Sequence, residues 1–142
     1  MIKFELNYGR LLGGQRIKGT VVDALMKHAE GVLKLKGERN MSIAFVTKSE
    51  MTRLNEAYYG GSGVTDVLAF PSEEPHAKSG YLGEILVYYP RAKKQALERG
   101  EKPISEVKLL IVHGFLHLLG YDHETPTKKT KMFRLQERIL DL

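Results

Sequence analysis

The sequence predicts a single α/β domain over residues 1–142: a sandwich of about five helices and a four-stranded mixed sheet. Three observations point there. Segments of strand and helix character follow one another in the order β-α-β-α-β-β-α-α-α. No internal repeat or shift of composition marks a linker, and 142 residues is the size of one ordinary domain. A hydrophobic fraction of 42% beside a charged fraction of 27% is that of a chain able to bury a core.

Each element has its own local reason. Ile2 to Tyr8 alternates apolar and polar residues, as a half-buried strand does, and Gly13-Gly14 breaks it. Thr20 is placed to cap a long helix with Val21, Val22, Leu25, Met26, Ala29, Val32 and Leu33 on one apolar stripe. Lys34 and Lys36 suit the C-terminal dipole of that helix, and Gly37 suits its stop. Ser42 to Val46 reads as the second strand. Thr47-Lys-Ser-Glu50 has capping-box spacing and opens a short helix that turns Met51, Leu54 and Ala57 inward and ends near Tyr58. Gly60-Gly61-Ser62-Gly63 makes a flexible loop. Val67 to Phe70 is a short apolar strand stopped by Pro71, Ser72 to Gly80 is a polar loop, and Leu82 to Tyr89 is the fourth strand. Pro90 begins a basic helix that Gly100 ends. Pro103 fits the first turn of the next helix, where its missing N–H costs nothing, and that helix runs to about Leu119. Pro126 opens the last helix, to Leu142.

The chemistry concentrates in one span, His113-Gly-Phe-Leu-His117-Leu-Leu-Gly120-Tyr-Asp-His123. On a helix His113 and His117 are separated by about 40° around the axis, so both imidazoles leave the same face. Gly120 lets the chain turn back, and His123 arrives from the far side of the turn. Three neutral imidazoles converging on one point form a ligand set for one zinc ion that leaves a fourth position open. An open position marks a catalytic candidate rather than a structural one. Nickel or copper would also accept such donors. A lone histidine is most often structural, so His28 on the first helix and His76 in the polar loop are given no role.

The spacing also equals that of the metzincin proteases, with one difference. The metalloprotease glutamate directly after the first histidine is Gly114 here. That glutamate takes a proton from water and hands it to the leaving amine, and glycine can do neither. Phosphodiester cleavage asks less of the position. A zinc ion can bind a non-bridging phosphate oxygen and acidify water, and the remaining need is positive charge around an anionic transition state. The formal net charge is +5, which favours polyanions such as RNA, although it also suits a plain solvated surface. Lys128, Lys129, Lys131, Arg134 and Arg138 crowd the last helix; Arg91, Lys93, Lys94 and Arg99 follow a strand. No apolar run approaches the roughly 18 residues of a membrane span. No secretory signal is visible, and there is no cysteine. These features suit a cytoplasmic protein with no membrane partner.

The histidine span resembles the signature of the YbeY family of bacterial ribosome-maturation metalloproteins. Leu54-Asn55 through Thr65-Asp66-Val67-Leu68-Ala69-Phe70-Pro71 is similar to that family's central segment, and Leu82-Gly83-Glu84-Ile85 to its next one. The resemblance implies a small α/β domain and a zinc-dependent, single-strand-specific endoribonuclease of late ribosomal RNA processing and ribosome quality control. It implies one Zn2+ held by His113, His117 and His123. It also implies ribosomal RNA, small-subunit ribosomal proteins and assembly GTPases as partners. Two positions depart from the family. Its usual arginine after the tyrosine of the central segment is Tyr59, which can hydrogen-bond or stack on a base but carries no charge at neutral pH. Arg53 and Arg91 are candidate substitutes. Its usual aspartate after Leu-Gly is Glu84, with the same charge on a longer arm.

The catalytic candidates are therefore Glu84, Arg53 and Asp122, each with a plainer alternative. Glu84 is a proton acceptor or lies on a solvent face. Asp122 orients an imidazole or bonds its own backbone. Asp66 faces the cleft or caps its loop through an Asx turn. Tyr121 packs under the turn. RNA would lie between the histidine helix and the loop from Tyr59 to Val64. Two other functions fit the same residues: a non-catalytic ribosome-assembly factor whose zinc stiffens the fold, and a protease, which Gly114 disfavours.

Overall fold

Strand pairing explains the sheet. In the computed structural model, which describes residues 1–74 and 79–141, the strands are β1 (Ile2–Asn7), β2 (Arg39–Phe45), β3 (Val67–Pro71) and β4 (Tyr81–Val87). They lie in the order β1-β2-β4-β3. β1, β2 and β4 run parallel and β3 antiparallel to β4, so the sheet is mixed, as predicted. Pro71, which lacks a backbone donor, ends an edge strand, where a missing donor is tolerated. The helices are α1 (Gly19–Leu33), α2 (Lys48–Tyr59), α3 (Tyr89–Glu98), α4 (Pro103–Leu118) and α5 (Pro126–Leu140), with a short 3-10 turn at Gly13–Gln15 that the sequence does not announce. His76 and Leu142 lie outside the described residues.

Alternation along the strands separates two apolar clusters. Ile43 and Phe45 of β2 and Ile85 and Val87 of β4 face α1, α4 and α5 in the main core. Leu68 and Leu86 face the other way and meet Met51 of α2. α4 is apolar nearly all round because neighbours surround it; Ile111, Val112, Phe115 and Leu116 are fully buried. His28 has the structural role expected of it, its Nδ1 lying 2.7 Å from the Ile139 carbonyl and tying α1 to α5.

Several ends differ from the sequence expectation. Thr20 does not cap α1: the helix starts at Gly19 after Lys18, and no side chain caps it. At the other end Lys34 itself adopts the left-handed conformation (φ 54°), and its N–H bonds the Glu30 carbonyl, so the helix stops before Gly37. β2 begins at Arg39 rather than Ser42, because β1 pairs with the polar Arg39-Asn40 pair. β4 ends at Val87, since Tyr89 already belongs to α3. The Thr47 capping box forms as predicted: Glu50 N–H donates to Thr47 Oγ1 (3.3 Å) and Thr47 N–H to Glu50 Oε1 (3.0 Å).

Candidate metal centre

α4 carries His113 and His117 one turn apart, and the turn after it delivers the third ring. Gly120 takes φ +97°, a conformation that favours glycine. Its N–H bonds the His117 carbonyl (3.0 Å) while the Tyr121 N–H returns to Leu116 (3.0 Å). The His123 ring then lies 5.8 Å from that of His113 and 5.4 Å from that of His117, between centroids. One ligand nitrogen from each of the three lies within 4.8 Å of the others.

The tautomers follow from what the outer nitrogens meet. His117 Nδ1 lies 2.9 Å from the Tyr121 carbonyl oxygen, an acceptor only, so it carries the proton. His113 Nδ1 lies 2.9 Å from Gln136 Oε1 of α5 and donates to it. Both Nε2 lone pairs are thereby turned inward, 3.1 Å apart. Two facing lone pairs repel unless a cation lies between them. Zinc–nitrogen bonds imply a tetrahedral edge of about 3.3 Å, so the α4 pair already has the spacing one ion asks for, and a nitrogen of the exposed His123 stands within 4.8 Å of both. The donor set fits a zinc ion. Burial pushes the His113 imidazole below its usual range, partly opposed by the Gln136 bond. Burial does the same to His117, reinforced by His113 beside it. Both are held in the neutral form that a metal requires.

The trio borders a cavity of about 470 Å³ whose facing wall is β3 with Tyr59 and Asp66. Asp122 borders it too, but orients no imidazole. Its Oδ1 accepts the Glu124 N–H (3.1 Å) and its Oδ2 lies 3.6 Å from Lys128 Nζ. Asp66 also borders the cavity; its Oδ1 accepts the N–H of the adjacent Val67 (2.7 Å), one residue short of the Asx turn that the plainer reading expects. Tyr59 stands edge-on to Phe70, and its hydroxyl donates to the Ala69 carbonyl. Burial raises its pKa, so it stays neutral.

Two catalytic candidates lie elsewhere. Glu84 pairs with Ser42 and Phe70 across the sheet, and β4 carries one extra residue between Tyr81 and Glu84. That irregularity puts Leu82 in the main core and Glu84 on the face of Leu86, away from α4, where it lines a separate groove. Arg53 lines another groove, along α2 with Thr47 and Glu56. Arg91 Nη1 donates to the Val64 carbonyl (2.8 Å) and fastens the glycine loop. None of the three borders the histidine cavity.

The positive charge at the site comes from α5. Beyond Lys128, Lys129 Nζ lies 5.5 Å from the Phe133 ring and Lys131 Nζ 5.8 Å from that of Tyr121. Sequence reasoning missed Gln136 and Phe133. For Gln136 the available signal was its helical spacing from Met132 and Ile139, which turn one face of α5 towards the protein; Phe133, about 100° away from Met132, gave none.

Gly114 lines the cavity as well. A Cβ built there would lie 2.8 Å from Cγ2 of the fully buried Ile85. The position thus has no room for the metalloprotease glutamate.

The chain is similar to known proteins over most of its length. The family model described as "Endoribonuclease YbeY" matches residues 14–142. Among curated proteins, the Endoribonuclease YbeY of Salinispora tropica is 37% identical over 139 residues, covering 89% of this chain and 88% of its own. That of Shouchella clausii is 34% identical over 152 residues, covering 99% and 94%. That of Acholeplasma laidlawii is 40% identical over 107 residues, covering 75% and 77%. The solution structure of TM1509 from Thermotoga maritima superposes with a TM-score of 0.63 at 29% identity, covering 99% of this chain and 87% of that one. With three imidazoles gathered at the end of α4 and relatives matched over most of its length, the chain belongs to the YbeY endoribonuclease family.

Proposed function

We propose that this protein is a zinc-dependent endoribonuclease that cuts single-stranded ribosomal RNA late in its processing and serves ribosome quality control. It would act in the cytoplasm, with small-subunit proteins and assembly GTPases as partners. The observation that carries the reading is the inward convergence of His113 and His117 Nε2 beside His123, on an open cavity next to a basic helix. These three would hold the ion. When bound, it supplies a Lewis acid for a phosphoryl oxygen and a means of acidifying water. The chain's own residues do the rest. Gln136 and the Tyr121 carbonyl keep the Nδ1 protons in place and the rings aimed. The α5 lysines supply charge that stabilises an anionic transition state. Asp66 and Asp122 are the carboxylates bordering the cavity, so proton transfer at the reacting oxygens falls to one of them rather than to Glu84.

His117→Ala should lose both bound zinc, measured by elemental analysis, and cleavage of a defined single-stranded RNA. A purified variant that cuts at the wild-type rate would sink the proposal. One observation favours a second reading, a non-catalytic assembly factor with a structural metal: among the described residues no arginine lines the cavity, where Tyr59 is pinned to Ala69. Complementation of a maturation defect by metal-stripped protein or by His117→Ala would select that reading. Among the described residues no helix is long and apolar enough to cross a membrane.

A further inference from the structure

Phe133 is left unexplained by the fold. It lies on α5 three residues before Gln136, with its ring centroid 6.3 Å from that of His113 and 6.4 Å from that of His123. Its neighbour Met132 and the more distant Ile139 are fully buried in the core. Phe133 is 37% exposed and belongs to neither apolar cluster. The other exposed phenyl-type rings among the described residues, Tyr58 and Tyr59, carry a polar hydroxyl, which in Tyr59 is bonded to the Ala69 carbonyl; the Phe133 ring has none. One turn earlier, Lys129 rests its ammonium 5.5 Å from the ring centroid. An apolar ring thus stands exposed beside the histidine trio, flanked by the imidazoles of His113 and His123 and by the Lys129 ammonium.

We propose that Phe133 is the stacking platform for one unpaired RNA base beside the metal centre, with Lys129 taking an adjoining phosphate. The inference rests on the reading of the protein as an RNA enzyme and names how the substrate is held. Exposed rings paired with cations are how single strands are held without sequence preference, because every base has a π-face. A base inside a duplex has both faces covered by its neighbours, so a platform of this kind selects unpaired nucleotides. The lysine has a flexible stem and can leave the ring for the backbone as the base arrives.

The test is fluorescence anisotropy of the zinc-loaded protein with a labelled single-stranded RNA octamer, read on a timescale before cleavage, with gel analysis confirming that the octamer is intact. Phe133→Ala and Phe133→Leu should bind more weakly by about 5- to 100-fold, and Phe133→Tyr should bind like the wild type. A series of octamers carrying one abasic sugar should reveal a position where the missing base weakens wild-type binding and leaves Phe133→Ala unaffected. Melting temperature and zinc content should be unchanged in Phe133→Leu and Phe133→Tyr, which a purely structural role for the ring would not predict alongside lost binding. Wild-type affinity in the Ala and Leu variants overturns the proposal, as does a loss with no coupled position. If the wild type binds and cuts RNA and Phe133→Leu does so equally well, only this inference fails. If the wild type neither binds nor cuts RNA, the functional reading fails with it.

Discussion

Gln136 and Gly114 show how single residues set the properties of the centre. Gln136 accepts the His113 Nδ1 proton from a different helix and fixes that ring's tautomer. Removing such a partner typically weakens metal affinity 10- to 100-fold. Gln136→Ala is therefore expected to lower zinc affinity by about that factor, read by competition with a chromogenic chelator, while the fold persists. Gly114 is required by packing. A methyl group there would meet Ile85 Cγ2 at 2.8 Å, and Ile85 is fully buried and has nowhere to go. Gly114→Ala should destabilise the protein by about 1–3 kcal/mol in urea unfolding, as overpacking does. At this scale the sequence is legible where spacing encodes position. His113, His117 and His123 could be placed because a helical turn and a glycine fix their directions. Gln136 could not, because its partner is 23 residues away and only the packing of α5 on α4 unites them.

At the scale of elements, α3 and α4 are joined by a buried carboxylate. Glu106, in the first turn of α4, is only 2% exposed and pairs with Arg99 Nη1 at 2.9 Å. Burial nevertheless holds its carboxyl above the usual carboxylate range, with Arg99 opposing. An acid with a raised folded pKa binds its proton more tightly folded than unfolded. Its contribution to stability is complete below the unfolded pKa and is lost as pH rises through the folded one. The stability of the wild type relative to Glu106→Gln should therefore fall as pH rises through and above the carboxylate range. Denaturant titrations of both proteins between acidic and neutral pH measure this; a gap that widens instead would contradict it. Element type was legible in the sequence because the apolar periods and the Thr47 capping box are local. The ends of α1 were not. Lys34 could adopt the left-handed conformation without being a glycine, and no residue type announced that. The start of β2 was hidden because Arg39 and Asn40 become strand only through pairing with β1.

For the molecule as a whole, the sheet decides which residues can meet. Its two faces keep Glu84 with the α2 side and the histidines with the α4 side, a separation that motif reading cannot detect. A mixed sheet was foreseeable from the run of elements. The strand order β1-β2-β4-β3 was not, because it depends on which edges close over the core. A ligand that binds only the native state stabilises it by about 2.7 kcal/mol at a hundredfold excess over its dissociation constant. Zinc should accordingly raise the melting temperature of the metal-stripped protein, and His117→Ala should show no such rise.

The amide of Gln136 makes the centre a clasp between two helices that the backbone joins only through a turn. An ion drawn to His113 steadies, through that one hydrogen bond, the C-terminal helix as well. Deuterium uptake along Pro126–Leu140 should then slow when zinc is added, and in Gln136→Ala it should become indifferent to the metal.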